Sequence, residues 1–160
     1  MSRNIAIEML NQIPVQDQQI ELVERKCIGH PDSIADGIAE AVSRALCNTY
    51  IDQFGGVLHH NTDQSEIVAG ESMPRFGGGK IIKPIFVLLD GRATKEFKGE
   101  KIAADTVALK AAKDYLRTIL PELNLDQHLI MDCRLGTGST DLRDVFNPEA
   151  GQIPRANDTS

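Results

Sequence analysis

A chain of 160 residues, 41% hydrophobic and 25% charged, is long enough for one domain with a sizeable core, and no apolar run approaches the roughly 18 residues of a membrane span. Its formal net charge is −6, with two Tyr, five Phe and no Trp, which excludes the basic, aromatic-bearing surface of a nucleic-acid binder. Cys27, Cys47 and Cys133 form no CxxC pair, and "MSRNIAIEML" lacks a signal-peptide core; reduced thiols and a cytoplasmic protein are expected.

Along the chain, "NIAIEML" is a short apolar segment, strand or helix, and "QQIELVERK" alternates as a strand does. From Pro31 the period changes. Ile34, Ile38, Val42, Ala45 and Leu46 recur at helical steps, and Gly55-Gly56 ends the helix. "GVLHH" and "EIVAGE" read as strands around the turn "NTDQ", and "PRFGGGK" as a second turn. "IIKPIFVLL" is one long strand whose Pro84 suggests an edge or a bulge. "RATKEFKGEK" is a polar loop. A second helix, "IAADTVALKAAKDYLRTIL", is closed by Pro121. "DQHLIMDCRL" is a strand, "GTGSTD" a loop and "LRDVF" a short helix or turn. Strand pairs joined by tight turns favour α+β over a doubly wound parallel sheet. No repeat or low-complexity segment is visible. The last residues, "IPRANDTS", read as though the chain stops within a motif.

The junction at "GHPDS" is the first candidate site. Pro31 fits the first helical position, where its missing N–H costs nothing. His30 then sits at or just before the N-cap, where free backbone N–H groups favour anions. Ordinary capping accounts for Pro31 and Asp32 but leaves His30 without a task. A neutral histidine there can donate to a leaving oxygen, and Asp32 can hold a metal. Asp36 and Glu40 continue an acidic stripe that reads as a solvated face. In so acidic a chain, a polyphosphate substrate would need a divalent cation to offset repulsion.

The blocks "ERKCIGHPDSIADGIAEAVSRAL", "LHHNTDQ", "PRFGGGKIIKPI", "GTGSTDL" and "IPRANDTS" occur in order over nearly the whole chain. Together they resemble the S-adenosylmethionine synthetase (methionine adenosyltransferase) family, archaeal type. The resemblance implies an α+β fold with a mixed/antiparallel sheet and helices packed on one face. It implies that the sulfur of L-methionine attacks C5′ of ATP, displacing triphosphate that is then hydrolysed to phosphate and pyrophosphate. Magnesium and a homodimer with active sites at the subunit interface are implied as well; potassium has no support in the sequence. Residues 1–160 would be an N-terminal part, less than half of the family's chain, with residue 160 not a natural domain boundary. By the same resemblance, His30 lies near the ribose–triphosphate junction as the catalytic group and Asp32 is a magnesium ligand. Ser33 follows where bacterial-type members have lysine, so that phosphate contact is missing.

The remaining motifs each have two readings. "GTGSTD", residues Gly136, Thr137, Gly138, Ser139, Thr140 and Asp141, follows a strand. Its glycines let backbone N–H groups approach a phosphate, although it matches neither the Walker nor the dinucleotide pattern; the resemblance makes it an ATP contact. "PRFGGGK" fails as a phosphate loop, with Pro74 and Ile81 at positions needing Gly and Ser or Thr, and reads as a hairpin turn. Glu71 would bind methionine by the resemblance, or is an exposed strand-end carboxylate. Asp158 resembles the aspartate near adenosine and methionine. His59 and His60 point to opposite strand faces and are structural or supporting residues. Cys27 stands where the family has glycine, a source of strain if that position needs φ > 0. Two rivals follow from the same residues: a magnesium-dependent phosphohydrolase, and a non-catalytic truncated or accessory subunit that binds nucleotide or a longer partner.

Overall fold

A computed structural model describes residues 5–138. Its first part departs from expectation. Residues 5–30 hold only a 3-10 turn, Val15–Asp17, and neither "NIAIEML" nor "QQIELVERK" forms a strand or helix within the described residues. A strand needs a partner for its backbone groups and for its apolar face. Here Ile20, Leu22 and Val23 are 77%, 94% and 79% exposed, so the alternating pattern has nothing to pack on.

The first helix is as its periodicity predicts. Helix α1 spans Pro31–Phe54, buries Ile38, Val42, Leu46 and Tyr50, and ends at Gly55 with φ 75°. Strand β1, His60–Val68, then runs straight through the expected "NTDQ" turn. Asn61 pairs with Arg92 and Gln64 with Asp90, so the turn-forming residues are absorbed as one extra residue, a bulge. Gly91 makes this possible. Its φ is 130°, and a Cβ there would lie 2.2 Å from the Asn61 carbonyl oxygen.

The long strand expected across Pro84 is two strands. β2 (Glu71–Arg75) and β3 (Gly78–Lys83) form a separate hairpin around Phe76-Gly77, and β4 (Ile85–Ala93) begins after the proline. Pro84 therefore marks neither an edge nor a bulge. It precedes the central strand of the main sheet, where its missing N–H breaks no ladder bond. The polar loop "RATKEFKGEK" is also more ordered than expected. Its start completes β4, and β5 (Glu96–Phe97) and β6 (Glu100–Lys101) make a small hairpin. Helix α2 spans Ala104–Ile119. The short helix α3, Leu125–His128, takes the start of the last expected strand, leaving β7 as Leu129–Gly136.

The main sheet has the order β1-β4-β7, with β1/β4 antiparallel and β4/β7 parallel, α2 making the crossover. Val87, Leu89 and Ala93 of β4 alternate into a core shared with both helices. Ala104, Ala108 and Ala112 form a small-residue stripe on α2 that lets the backbones approach. Gly37 of α1 takes the Tyr115 ring so closely that a Cβ would lie 1.9 Å from its hydroxyl. The opposite sheet face, carrying Val68, Phe86, Ile130 and Asp132, is not covered by either helix. The α+β class and the mixed sheet with helices on one face hold. Among the described residues, no helix is long and apolar enough to cross a membrane.

Candidate functional site

The chain enters α1 through a tight turn in which the His30 N–H donates to the Cys27 carbonyl at 3.0 Å. His30 is the N-cap, with φ −68° and ψ 136°, and Pro31 occupies the first helical position. The His30 Nδ1 accepts from the Asp32 backbone N–H at 3.2 Å. This bond supplies the task that the sequence left open: His30 caps an otherwise unpaired helix donor. It also has a chemical consequence. With Nδ1 accepting, the neutral ring carries its proton on Nε2, which becomes a hydrogen-bond donor at a half-exposed helix start.

Asp32, exposed in the first turn, forms an ion pair and hydrogen bond with Lys26. The Lys26 ammonium, and to a lesser degree the His30 ring, hold the Asp32 carboxyl below its ordinary value. Asp36 and Glu40 are exposed along the same helix, in keeping with a solvated face. Among the described residues, no three His, Cys, Asp or Glu side chains converge as a metal cage. Magnesium does not need one. It keeps several waters and is commonly held by one or two carboxylates together with substrate phosphates, so Asp32 fits as a single protein ligand once Lys26 yields. Cys27 has no left-handed backbone, so its replacement of glycine brings no strain of that kind.

The glycine-rich segment leaves the end of β7. Gly136 is the last strand residue, Thr137 is exposed, and Gly138 is buried. A Cβ on Gly138 would lie 2.4 Å from the Nδ1 of His59, so the loop rests directly on that imidazole. Burial, then the neighbouring His60 and Arg92, hold His59 below the usual histidine range, favouring the neutral ring. His60 faces the other way. Its Nδ1 lies 3.0 Å from the Leu58 carbonyl, which makes that nitrogen the donor, and its Nε2 lies 2.9 Å from the Ser43 hydroxyl and 3.7 Å from the Cys47 thiol. His60 is thus a packing residue, whereas His59 backs the loop. Strand alternation at "HH" predicts the split, but not which histidine meets the glycines. Ser139, Thr140, Asp141 and Asp158 lie outside the described residues.

Glu71 opens β2, is exposed, and pairs with Lys83 at 3.0 Å. "PRFGGGK" is the β2–β3 turn, with Gly77 at φ 75°, as the failed Walker match indicated.

These parts do not meet within the described residues. α1 runs antiparallel to β1: His60 meets Ser43 and Cys47, and the Thr62 hydroxyl donates to the Ala39 carbonyl at 3.3 Å. His30 therefore lies toward the Val68 end, while Gly138 sits against His59 at the start of β1. The rise per residue in helix and strand puts them on the order of 20 Å apart along the sheet.

The family model described as S-adenosylmethionine synthetase (AdoMet synthetase) matches residues 3–160. The chain is 96% identical over all 160 residues to an S-adenosylmethionine synthase of Methanospirillum hungatei JF-1, and 69% and 61% identical to those of Methanoregula boonei and Methanosarcina mazei. It covers 40% of the length of each of these relatives.

Proposed function

This chain belongs to the S-adenosylmethionine synthetase family, and on that premise we propose that it contributes to forming S-adenosylmethionine from ATP and L-methionine. The match across residues 3–160, with the histidine of its GHPD block at a helix N-cap, carries this reading. In the proposed reaction triphosphate leaves C5′ as the methionine sulfur attacks, and is then hydrolysed to phosphate and pyrophosphate. His30 would donate from Nε2 to the leaving oxygen, where negative charge grows most. Asp32 would release Lys26 and serve as the protein ligand to magnesium, which when bound would offset the triphosphate charge. Gly136–Asp141 would contact ATP, with the neutral His59 packed beneath the loop. Glu71 and Asp158 are the weaker candidates for methionine and adenosine, and potassium has no supporting feature.

The same arrangement favours a second statement. Because His30 and the glycine-rich segment lie at opposite ends of β1, a complete site would combine one end of this chain with groups from elsewhere. We assign those groups to a second subunit of a homodimer and to the three fifths of sequence by which the relatives exceed this chain. Residues 1–160 would then be a non-catalytic N-terminal portion by themselves. Free Cys27, Cys47 and Cys133 support a cytoplasmic setting.

The test is to join residues 1–160 to the C-terminal three fifths of a relative and assay the product with magnesium, ATP and labelled methionine. Methionine-dependent S-adenosylmethionine is expected. Phosphate release indifferent to methionine would favour a phosphohydrolase and defeat the proposal.

A further inference from the structure

A second cluster of polar side chains lies between α1 and β1, on the side away from His59. Ser43 and Cys47, one helical turn apart on α1, both face His60 at the start of β1. All three are half-buried, so a small ion can reach them. The His60 ring is held by two further contacts. Its Nδ1–H donates to the Leu58 carbonyl at 3.0 Å, and the buried Tyr50 ring stands tilted against it, 5.8 Å between centres.

With the proton on Nδ1, Nε2 carries a lone pair and no hydrogen. Two donors compete for it, the Ser43 hydroxyl at 2.9 Å and the Cys47 thiol at 3.7 Å. One lone pair serves one donor well, so the nearer hydroxyl takes it and the thiol keeps a long contact. A backbone carbonyl behind one ring nitrogen, with the other nitrogen free to give its lone pair, is the arrangement that orients a metal-ligating imidazole. The separation fits as well. With bonds of roughly 2.3 Å to thiolate and 2.0 Å to imidazole, sulfur and nitrogen stand about 3.7 Å apart at a trigonal angle of roughly 120°. Burial and, after it, the Glu40 carboxylate hold the Cys47 thiol above its usual value. The same negative charge favours a cation at the sulfur.

We infer that Cys47 and His60 form a binding site for a soft monovalent cation of the copper(I) class, which bridges α1 to β1. Thiolate and imidazole select soft ions, and two such ligands suffice for copper(I), whereas a structural zinc site takes four. The Ser43 hydroxyl, released from Nε2, or a water takes the third position. Magnesium prefers oxygen ligands and is not a candidate here. Binding forms one bond from copper to sulfur and one to Nε2, breaks the Cys47 S–H bond and passes that proton to solvent; no electron moves. The site stands independently of the reading of the chain as a handler of ATP.

The experiment supplies copper(I) anaerobically, as its bicinchoninate complex, to the chain carrying Cys27→Ser and Cys133→Ser, in which Cys47 is the sole thiol. Loss of the complex's colour is expected at one ion per chain. Affinity should fall at least tenfold when His60→Gln is added and transfer should be lost when Cys47→Ser is added, with unchanged circular dichroism. X-ray absorption at the copper edge of the loaded parent should show one sulfur neighbour and an imidazole nitrogen. Equal affinity with and without His60 overturns the site. So do two sulfur neighbours, which would mean chains joined through Cys47, and zinc chloride binding as tightly as copper(I). The absorption spectrum uses no substitution at Cys47 or His60, so it decides the question even if His60→Gln fails to fold.

Discussion

His30 and Asp32 are two residues apart, and the Asp32 N–H joins them through His30 Nδ1. That bond lets structural and chemical roles be separated by substitution. Asn is itself a good N-cap, so His30→Asn keeps the start of α1 while removing the Nε2 donor. In a catalytically complete chain we expect kcat to fall on the order of 100-fold with little change in KM, because the proposed donor would act most as triphosphate departs. Steady-state kinetics decide it, and a near-normal kcat would reduce His30 to a cap. Asp32→Asn makes a different expectation. It removes the charge that Lys26 now balances and that a metal would need. Activity should fall at low magnesium and recover in part at high magnesium. An unchanged magnesium titration would leave Asp32 as a first-turn carboxylate that favours the helix dipole and nothing more.

At the scale of elements, the sheet depends on one close backbone approach. β1 carries an extra residue opposite β4, and Gly91 accepts it at φ 130° with the Asn61 carbonyl where a Cβ would stand. Gly91→Ala imposes both a disfavoured φ and a clash with backbone, which cannot swing away as a side chain can. We expect a loss of about 2 kcal/mol or more, read as a lower urea midpoint at unchanged m-value. Gly37→Ala would be milder, since its neighbour is the end of the Tyr115 side chain. Equal midpoints for Gly91→Ala and the unsubstituted chain would show that the bulge relaxes without cost.

For the molecule as a whole, the uncovered apolar surface is the main observation. Ile7, Met9, Leu22 and Phe76 are 92% exposed or more, and Val68 and Ile130 lie on the sheet face that carries no helix. Surfaces of this kind are used for contact with other protein. We expect residues 1–160 alone to self-associate, with light scattering giving a mass above the 17.5 kDa of one chain. We also expect no S-adenosylmethionine from magnesium, ATP and methionine, because His30 and the glycine-rich segment lie apart and the proposed site would need groups that residues 1–160 do not supply. A monodisperse monomer that turns over at the rate of a complete enzyme would contradict both expectations.

Sequence by itself determined whatever is written in local periodicity and local chemistry. Helix α1 was legible from Pro31, its apolar steps and Gly55-Gly56, and α2 from its own steps and Pro121. The hairpin turn at "PRFGGGK" followed from glycine, and the place of His30 at the N-cap, though not its bond to the Asp32 N–H, from the helix start it precedes. Tertiary structure decided whatever depends on a distant partner. "QQIELVERK" has the alternation of a strand, but alternation states only which face would be buried and not whether a neighbour exists to bury it. "NTDQ" has turn residues, yet pairing with β4 outweighed that preference once Gly91 gave it room. Pro84 was read as a defect within one strand, when the hairpin before it and the central strand after it made it a boundary. Two features of the candidate site were beyond local reading for the same reason. His59 meets Gly138 across more than half of the described chain, and His30 is held apart from that loop by the antiparallel course of α1 along β1. Those distances come from packing, which no short stretch of residues encodes.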